Sequence, residues 1–314
     1  MAHGETFKYN YAIICRIPQT FQYKALRTKT GKPIDIDRAR KEYDDLRDIL
    51  KNCDVNVIEL QEDENYPDCC FIEDCAVCIG GTALIARPGH TTRQGEVGEI
   101  RKVLKNDLKL NVQEIKDAKA TLDGGDVLFT GKEIFVGIGK RTNDLGAQAV
   151  AEFFPEYNVN LIKIGKCETL LHLKDVVNMA GRNIVAVGCG NDEMQSLAEY
   201  TYRVLHLDNR AGVDMLYING QFNLFFHIYC TDISRVNTCA LLHKVCHWVK
   251  RLGFNSLLVI DEKIPYTRHR VNLSELSKAD GSISSMLLPI YKKKNQMNML
   301  SDITEDDIAP FCHK

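Results

Sequence analysis

Apolar positions recur at two spacings along the chain, and the two alternate. Period-two or continuous apolar runs at Tyr11 to Arg16, Val55 to Leu60 and Val112 to Ile115 predict short strands. Between the first two, Ala39, Tyr43, Leu46 and Leu50 fall on one side of a helix spanning Ile36 to Leu50, with Asp35 placed to cap its first turn. Gly80-Gly81 separates the runs Phe71 to Ile79 and Thr82 to Arg87, and Gly131-Lys132 separates Val127 to Thr130 from Ile134 to Ile138. Both read as hairpins. Helical spacing returns at Glu96 to Leu104, Asn143 to Phe154 and Glu193 to Leu205. Further strands are expected at Asn160 to Ile164, Ile184 to Gly188, Met215 to Asn219 and Asn223 to Ile228.

A pair of strands, a helix and another strand thus repeat about every 50 to 60 residues. Because hairpins interrupt the strand-helix alternation, the pattern favours an α/β array repeated around an axis over a doubly wound sheet. No GxGxxG follows the first strand, which removes the dinucleotide-binding reading. The array is expected to occupy residues 1–314 as a single domain. Within it, 229–271 is atypical, with a helix expected over Cys239 to Leu252 and a strand over Ser256 to Ile260, and 295–314 is a tail without period.

Composition narrows the class. The chain has 314 residues, 45% hydrophobic and 26% charged, with a formal net charge of -2. That is the balance of a soluble globular protein, and no basic face recommends nucleic acid. No apolar run reaches the roughly 18 residues a membrane helix needs, and early charges with Pro18 argue against a signal peptide. The twelve cysteines lie within apolar strand and helix patterns, as around Cys15, Cys75 and Cys189, so reduced thiols in the cytoplasm are expected. Cys75 and Cys78 form a CxxC without a second pair, and alternation puts them on opposite faces, so no metal is expected there.

The chemistry gathers around acids. Asp68, Glu73 and Asp74 lie within seven residues in PDCCFIED, and Asp123 and Asp126 bracket two glycines in LDGGD. Carboxylates grouped in this way suit a guanidinium, whose donors fan out in one plane. Along a strand, however, Glu73 and Asp74 face opposite sides, and a solvated acid with a structural ion pair accounts equally well for either motif alone. His172 follows Leu170-Leu171 and could be a core histidine.

Taken in order, PDCCFIED, LIARPG (Leu84 to Gly89), ATLDGGDVLFTG (Ala120 to Gly131), KRTN (Lys140 to Asn143), HLK, NMAG (Asn178 to Gly181) and SELSKADG (Ser274 to Gly281) resemble the dimethylarginine dimethylaminohydrolases. These belong with the arginine deiminases and amidinotransferases, and the resemblance covers roughly residues 9–228 and 272–294. It implies a five-bladed α/β propeller, the pentein fold, around a central channel. It implies no cofactor, a methylated arginine as small-molecule partner, and no required oligomer. Asp68 and Glu73 would grip the guanidinium with Asp74 assisting, while Arg93 and Arg141 would hold the amino-acid carboxylate. Leu26 would belong to a lid, Ala279 and Asp280 would line the far wall, and His172 would act as general acid and base.

The family reaction uses a cysteine that attacks the guanidinium carbon, giving citrulline and a methylamine. Here the corresponding position is Ser285, followed by Met286, and Cys312 lies too far along the chain to replace it. An alcohol ionises several units above a thiol, so turnover is expected to be severely reduced or absent. Asp175 after HLK and the long 229–271 segment are further departures from the family pattern. Three readings stay open: a hydrolase of methylated arginines, an inactive protein that binds them, and a scaffold.

Overall fold

The computed structural model describes residues 7–28, 31–164, 170–188, 198–207, 213–219, 222–226 and 267–292. Five three-stranded sheets share one topology, in which the central strand pairs antiparallel on one side and parallel on the other. The first contains β1 (Tyr11–Cys15) and β2 (Asn56–Leu60), and the second β3 (Ala76–Ile79), β4 (Thr82–Ile85) and β5 (Asn111–Glu114). The third comprises β6 (Val127–Phe129), β7 (Ile134–Ile138) and β8 (Val159–Lys163), and the fourth β9 (Val177–Gly181), β10 (Ile184–Gly188) and β11 (Arg203–Leu207). The fifth holds β12 (Met215–Ile218), β13 (Phe222–Phe226) and β14 (Thr267–Val271). The last strand, β15 (Leu287–Ile290), returns to pair with β1, so the first blade is built from both ends of the described chain. This is the five-bladed α/β propeller expected from the sequence.

Parallel neighbours need a crossover, and among the described residues three of these are helical. After the short α1 (Phe21–Lys24), α2 (Ile36–Asn52) joins β1 to β2, α3 (Val97–Lys102) joins β4 to β5, and α4 (Asp144–Phe153) joins β7 to β8. Asp35 caps α2 by accepting from the Arg38 amide at 3.1 Å, and Asn143 caps α4 by accepting from Gly146 at 2.9 Å. Ala39, Tyr43, Leu46 and Leu50 are all buried, as their spacing predicts.

Two expected elements differ. Phe71 to Cys75 does not extend β3: Ile72–Cys75 is a single 3-10 turn, and the strand begins at Ala76. Of the helix expected from Glu193 to Leu205, residues 193–197 lie outside the described residues and the rest is not helical: Arg203–Leu207 alternates with Leu205 and Leu207 buried and pairs in parallel with β10. Strands β9, β14 and β15 were not anticipated. The helix at Cys239 to Leu252, the strand at Ser256 to Ile260, and the 295–314 tail lie outside the described residues.

Candidate active site

The 3-10 turn decides the geometry of the acids. A straight strand would point Glu73 and Asp74 to opposite faces; the turn lets Asp68, Glu73 and Asp74 line one pocket while all three stay buried. Leu26, Arg93, Arg141, His172, Ala279, Asp280 and Ser285 line the same space, a cavity of about 190 Å3. Asp123 and Asp126 lie behind this lining, wholly buried.

LDGGD works by close approach. A Cβ on Gly124 would stand 2.0 Å from the Glu73 carbonyl, and one on Gly125 would meet Asp74 Oδ1 and His172 Cγ at 2.9 Å each. Glycine is therefore required where the turn carrying the acids meets the histidine. The Gly125 amide donates to Asp74 Oδ1 at 3.0 Å, tying the two motifs together. Asp126 accepts from the Leu173 amide at 2.9 Å and from Thr142 Oγ1 at 2.6 Å, fixing the backbone beside His172. Burial pushes the Asp126 carboxyl up to about 7.

His172 Nε2 lies 2.9 Å from Asp123 Oδ2 and 3.6 Å from Asp74 Oδ1. Burial by itself would lower its pKa. The charge of Asp74, the hydrogen bond to Asp123 and the nearby Asp126 outweigh that and raise it to about 10. The ring is an imidazolium at neutral pH. Asp74, whose burial disfavours charge, is nonetheless held down to about 2 by His172 and by Arg93. Asp74, Asp123 and His172 also place three potential ligand atoms within 4.8 Å of one another. A metal ion there would have to displace the ring proton, which at pH 7 opposes binding by roughly 4 kcal/mol.

The two arginines differ. Arg93 is fully engaged: it donates to Asp74 Oδ2 at 2.5 Å, to Glu96 Oε2 at 2.8 Å and to the Phe71 carbonyl at 2.8 Å. It can orient Asp74, but it has little left for a ligand carboxylate. Arg141 has a buried Nη1 with no hydrogen-bond partner among the described residues. The acids differ likewise. Glu73 accepts from Lys174 Nζ at 2.7 Å and from Ser284 Oγ at 3.1 Å, whereas among the described residues the Asp68 carboxylate is held through Oδ1, by the Leu26 amide at 3.0 Å.

Lys174, Ser284, Glu96 and Thr142 were missed in the sequence. Lys174 stands within the HLK motif, but its role as counter-charge follows from the burial of Glu73, which the sequence does not show. Asp175 accepts from the amides of Leu171 and His172 at 2.9 and 3.1 Å, so it positions the histidine backbone rather than adding a free charge. The loop carrying Leu26 is held at two points, by Asp68 to Leu26 and by Asp280, which accepts from the Thr28 amide at 2.6 Å and its hydroxyl at 2.8 Å. Asp280 holds a positive φ of 61°, the conformation that ends the preceding turn, and its carboxylate meets Thr28 in that loop. Ser285 follows: its Oγ donates to the Ser282 carbonyl at 2.8 Å and accepts from the Ser282 amide at 2.9 Å.

A family model described as "N,N dimethylarginine dimethylhydrolase, eukaryotic" matches residues 14–218, well over half the chain. The chain belongs to this family. The Bos taurus protein DDAH2 is 33% identical over 288 residues, covering 89% of this chain and 93% of its own. The dimethylarginine dimethylaminohydrolase of Pseudomonas aeruginosa is 30% identical over 281 residues, covering 88% of this chain and 98% of its own. Among solved structures, a cysteine-to-serine mutant of the Pseudomonas aeruginosa family enzyme complexed with citrulline has a TM-score of 0.72 at 22% identity. It covers 90% of this chain and all of that one, and shares the fold. No helix among the described residues is long and apolar enough to cross a membrane.

Proposed function

We propose that this chain binds Nω-methylated arginine in the acidic pocket and that its hydrolysis to citrulline and a methylamine is severely reduced or absent. What carries the reading is that the His172 ring, held between Asp123 and Asp74, lines the same pocket as a Ser285 hydroxyl that is bonded to the backbone of Ser282. A serine nucleophile needs a neighbouring base, and a ring with a pKa of about 10 has no free lone pair at neutral pH. A thiol would use the same cation differently, as the counter-ion that favours a thiolate. The Ser285 hydroxyl instead satisfies itself on the backbone of Ser282.

Binding does not need the sulfur. In this reading Asp68 receives the guanidinium, with Glu73 and Asp74 beside it, and Arg141 receives the carboxylate through its unspent Nη1. Arg93 holds Asp74 in place, and Leu26, Ala279 and Asp280 close the walls. The cysteine-to-serine mutant of the Pseudomonas aeruginosa enzyme is itself complexed with citrulline, which is in keeping with a ligand held where a cysteine has become serine. A working place in the cytoplasm and arginine metabolism fit this assignment. The test is purified protein with asymmetric dimethylarginine, followed by calorimetry and a citrulline assay on one sample. Heat of binding without citrulline is expected. Citrulline at enzymatic rates removes the impaired-catalysis reading, and neither heat nor product leaves only a scaffold.

A further inference from the structure

Outside the pocket, the described residues contain one close pair of thiols. The sulfurs of Cys15, the last residue of β1, and Cys69 stand 3.7 Å apart, the Cys15 thiol also lying 3.4 Å from the Gln61 carbonyl and 3.5 Å from the Arg16 carbonyl, and the pair sits in the apolar cluster formed by the first two blades. Cys69 is the third residue of PDCCFIED, directly after Asp68, the acid that latches Leu26. We propose that Cys15 and Cys69 form a site of oxidation by small hydroperoxides, closing to an intramolecular disulfide.

The two sulfurs have unlike characters, as the chemistry needs. The hydrogen bond from Cys15 lowers the pKa of Cys69 against the effect of burial, and the same bond with burial raises that of Cys15. The contact of Cys69 with the Asp63 carbonyl, at 4.0 Å, is too long to hold its proton firmly. Cys70 and Cys75, nearby, are raised far by burial and stay protonated. Cys69 is therefore the nucleophile of the cluster, and at 9% exposure it is the least sealed of these four. Its thiolate attacks one peroxide oxygen, the O–O bond breaks, and hydroxide (or an alkoxide) leaves with Cys69 as the sulfenic acid. The Cys15 sulfur then attacks the Cys69 sulfur, the S–O bond breaks, and water departs. The peroxide has been reduced by two electrons and the two thiols oxidised, and the protons from both thiols are carried off on the two oxygens.

A disulfide needs about 2.05 Å between sulfurs, so closure draws these two together by roughly 1.7 Å. Cys69 is pinned by its amide to the Tyr66 carbonyl at 3.0 Å, and the next turn by Phe71 to Asp68 at 2.9 Å. Displacing Cys69 therefore moves Asp68, and with it the lid latch. This second consequence rests on the proposed methylarginine site; the disulfide itself does not.

The experiment is stepwise hydrogen peroxide on the reduced full chain, thiol counting, and peptide mass spectrometry. A Cys15–Cys69 crosslink, two mass units lighter than the thiols and reversed by dithiothreitol, is the expected product. Cys15→Ser is expected to give sulfenic or sulfinic Cys69 without a crosslink. Cys15→Ala with an unchanged melting profile serves if the serine variant fails to fold. A different crosslink, or Cys69 left unmodified at peroxide levels that oxidise other thiols, overturns the proposal. Calorimetry with asymmetric dimethylarginine then separates the two readings. If the reduced chain binds, oxidation is expected to weaken binding at least fivefold, and equal affinity refutes the coupling. If the reduced chain does not bind, the pocket assignment falls while a crosslink still upholds the dithiol site.

Discussion

Replacing Ser285 with cysteine puts a thiol where the hydroxyl now stands, facing a pocket that holds an imidazolium. At pH 7.5 a ring with a pKa of about 10 is protonated roughly 300 to 1. A thiol begins near ~8.5, and a shift of about one unit by that cation makes it half thiolate at the same pH. The acids lining the pocket oppose the shift, but the guanidinium of a bound ligand offsets them. An alcohol ionises several units higher, and each unit carries about 1.4 kcal/mol. If three such units reach the barrier, the serine loses roughly 4 kcal/mol, a thousandfold in rate. Ser285→Cys is therefore expected to raise citrulline formation from asymmetric dimethylarginine by at least tenfold, read by a colorimetric citrulline assay with calorimetric Kd on the same preparation. Adding His172→Gln is expected to abolish the gain while leaving binding measurable. A Ser285→Cys chain that binds normally and makes no more citrulline than the parent refutes the placement of the nucleophile. A gain that survives loss of His172 refutes the role of the imidazolium.

Three other outcomes follow from the same contacts. His172 has a folded pKa of about 10 against about 6.5 unfolded, so its stabilisation is complete below pH 6.5 and disappears as pH rises through 10. Urea unfolding at pH 6 and pH 10 should show up to ~5 kcal/mol lost, and His172→Gln should flatten that difference. Lys174→Met strands the buried Glu73 carboxylate and is expected to cost about 3 kcal/mol, measured by urea midpoint, with Glu73→Gln in the same chain recovering most of it. Asp280→Asn keeps a residue tolerant of positive φ but weakens the latch on Thr28, so trypsin should cut after Arg27 several times faster than in the parent.

How much was legible in the sequence depended on whether the deciding contacts were local. Helix α2 could be read because its cap, Asp35, and its buried face lie within one continuous segment. The hairpin at Gly80-Gly81 could be read because both glycines hold positive φ, 59° and 85°, which the dipeptide itself announces. Strand β15 could not: Leu-Leu-Pro-Ile becomes a strand only by pairing with β1 at the other end of the chain, with Tyr11 opposite Ile290. Pro289 is tolerated because β15 is an edge strand. The helix expected through Leu205 failed for the same reason, since its parallel partner β10 overrides local helical spacing. In the site, residue identities were legible from motif order, but their pairing was not. No pattern in PDCCFIED reveals that Glu73 meets a lysine a hundred positions later while Asp68 meets the Leu26 amide.

That pairing also changes the character of the pocket. Read as a string, the motifs describe a bare negative cup; folded, most of the negative charge is already answered. Arg93 answers Asp74, Lys174 answers Glu73, and His172 answers Asp123. A guanidinium arriving from water would find one unspent carboxylate oxygen at Asp68, and could claim more only by displacing Lys174 or Ser284 from Glu73. A bound guanidinium would thus exchange cations within a preformed network, and none of its members is residue 285. The network holds its geometry through Asp123, Asp126, Thr142 and the glycine contacts, all independent of that side chain. A hydroxyl can replace the sulfur there without loosening the pocket, which is why loss of turnover and retention of binding are expected together rather than as alternatives.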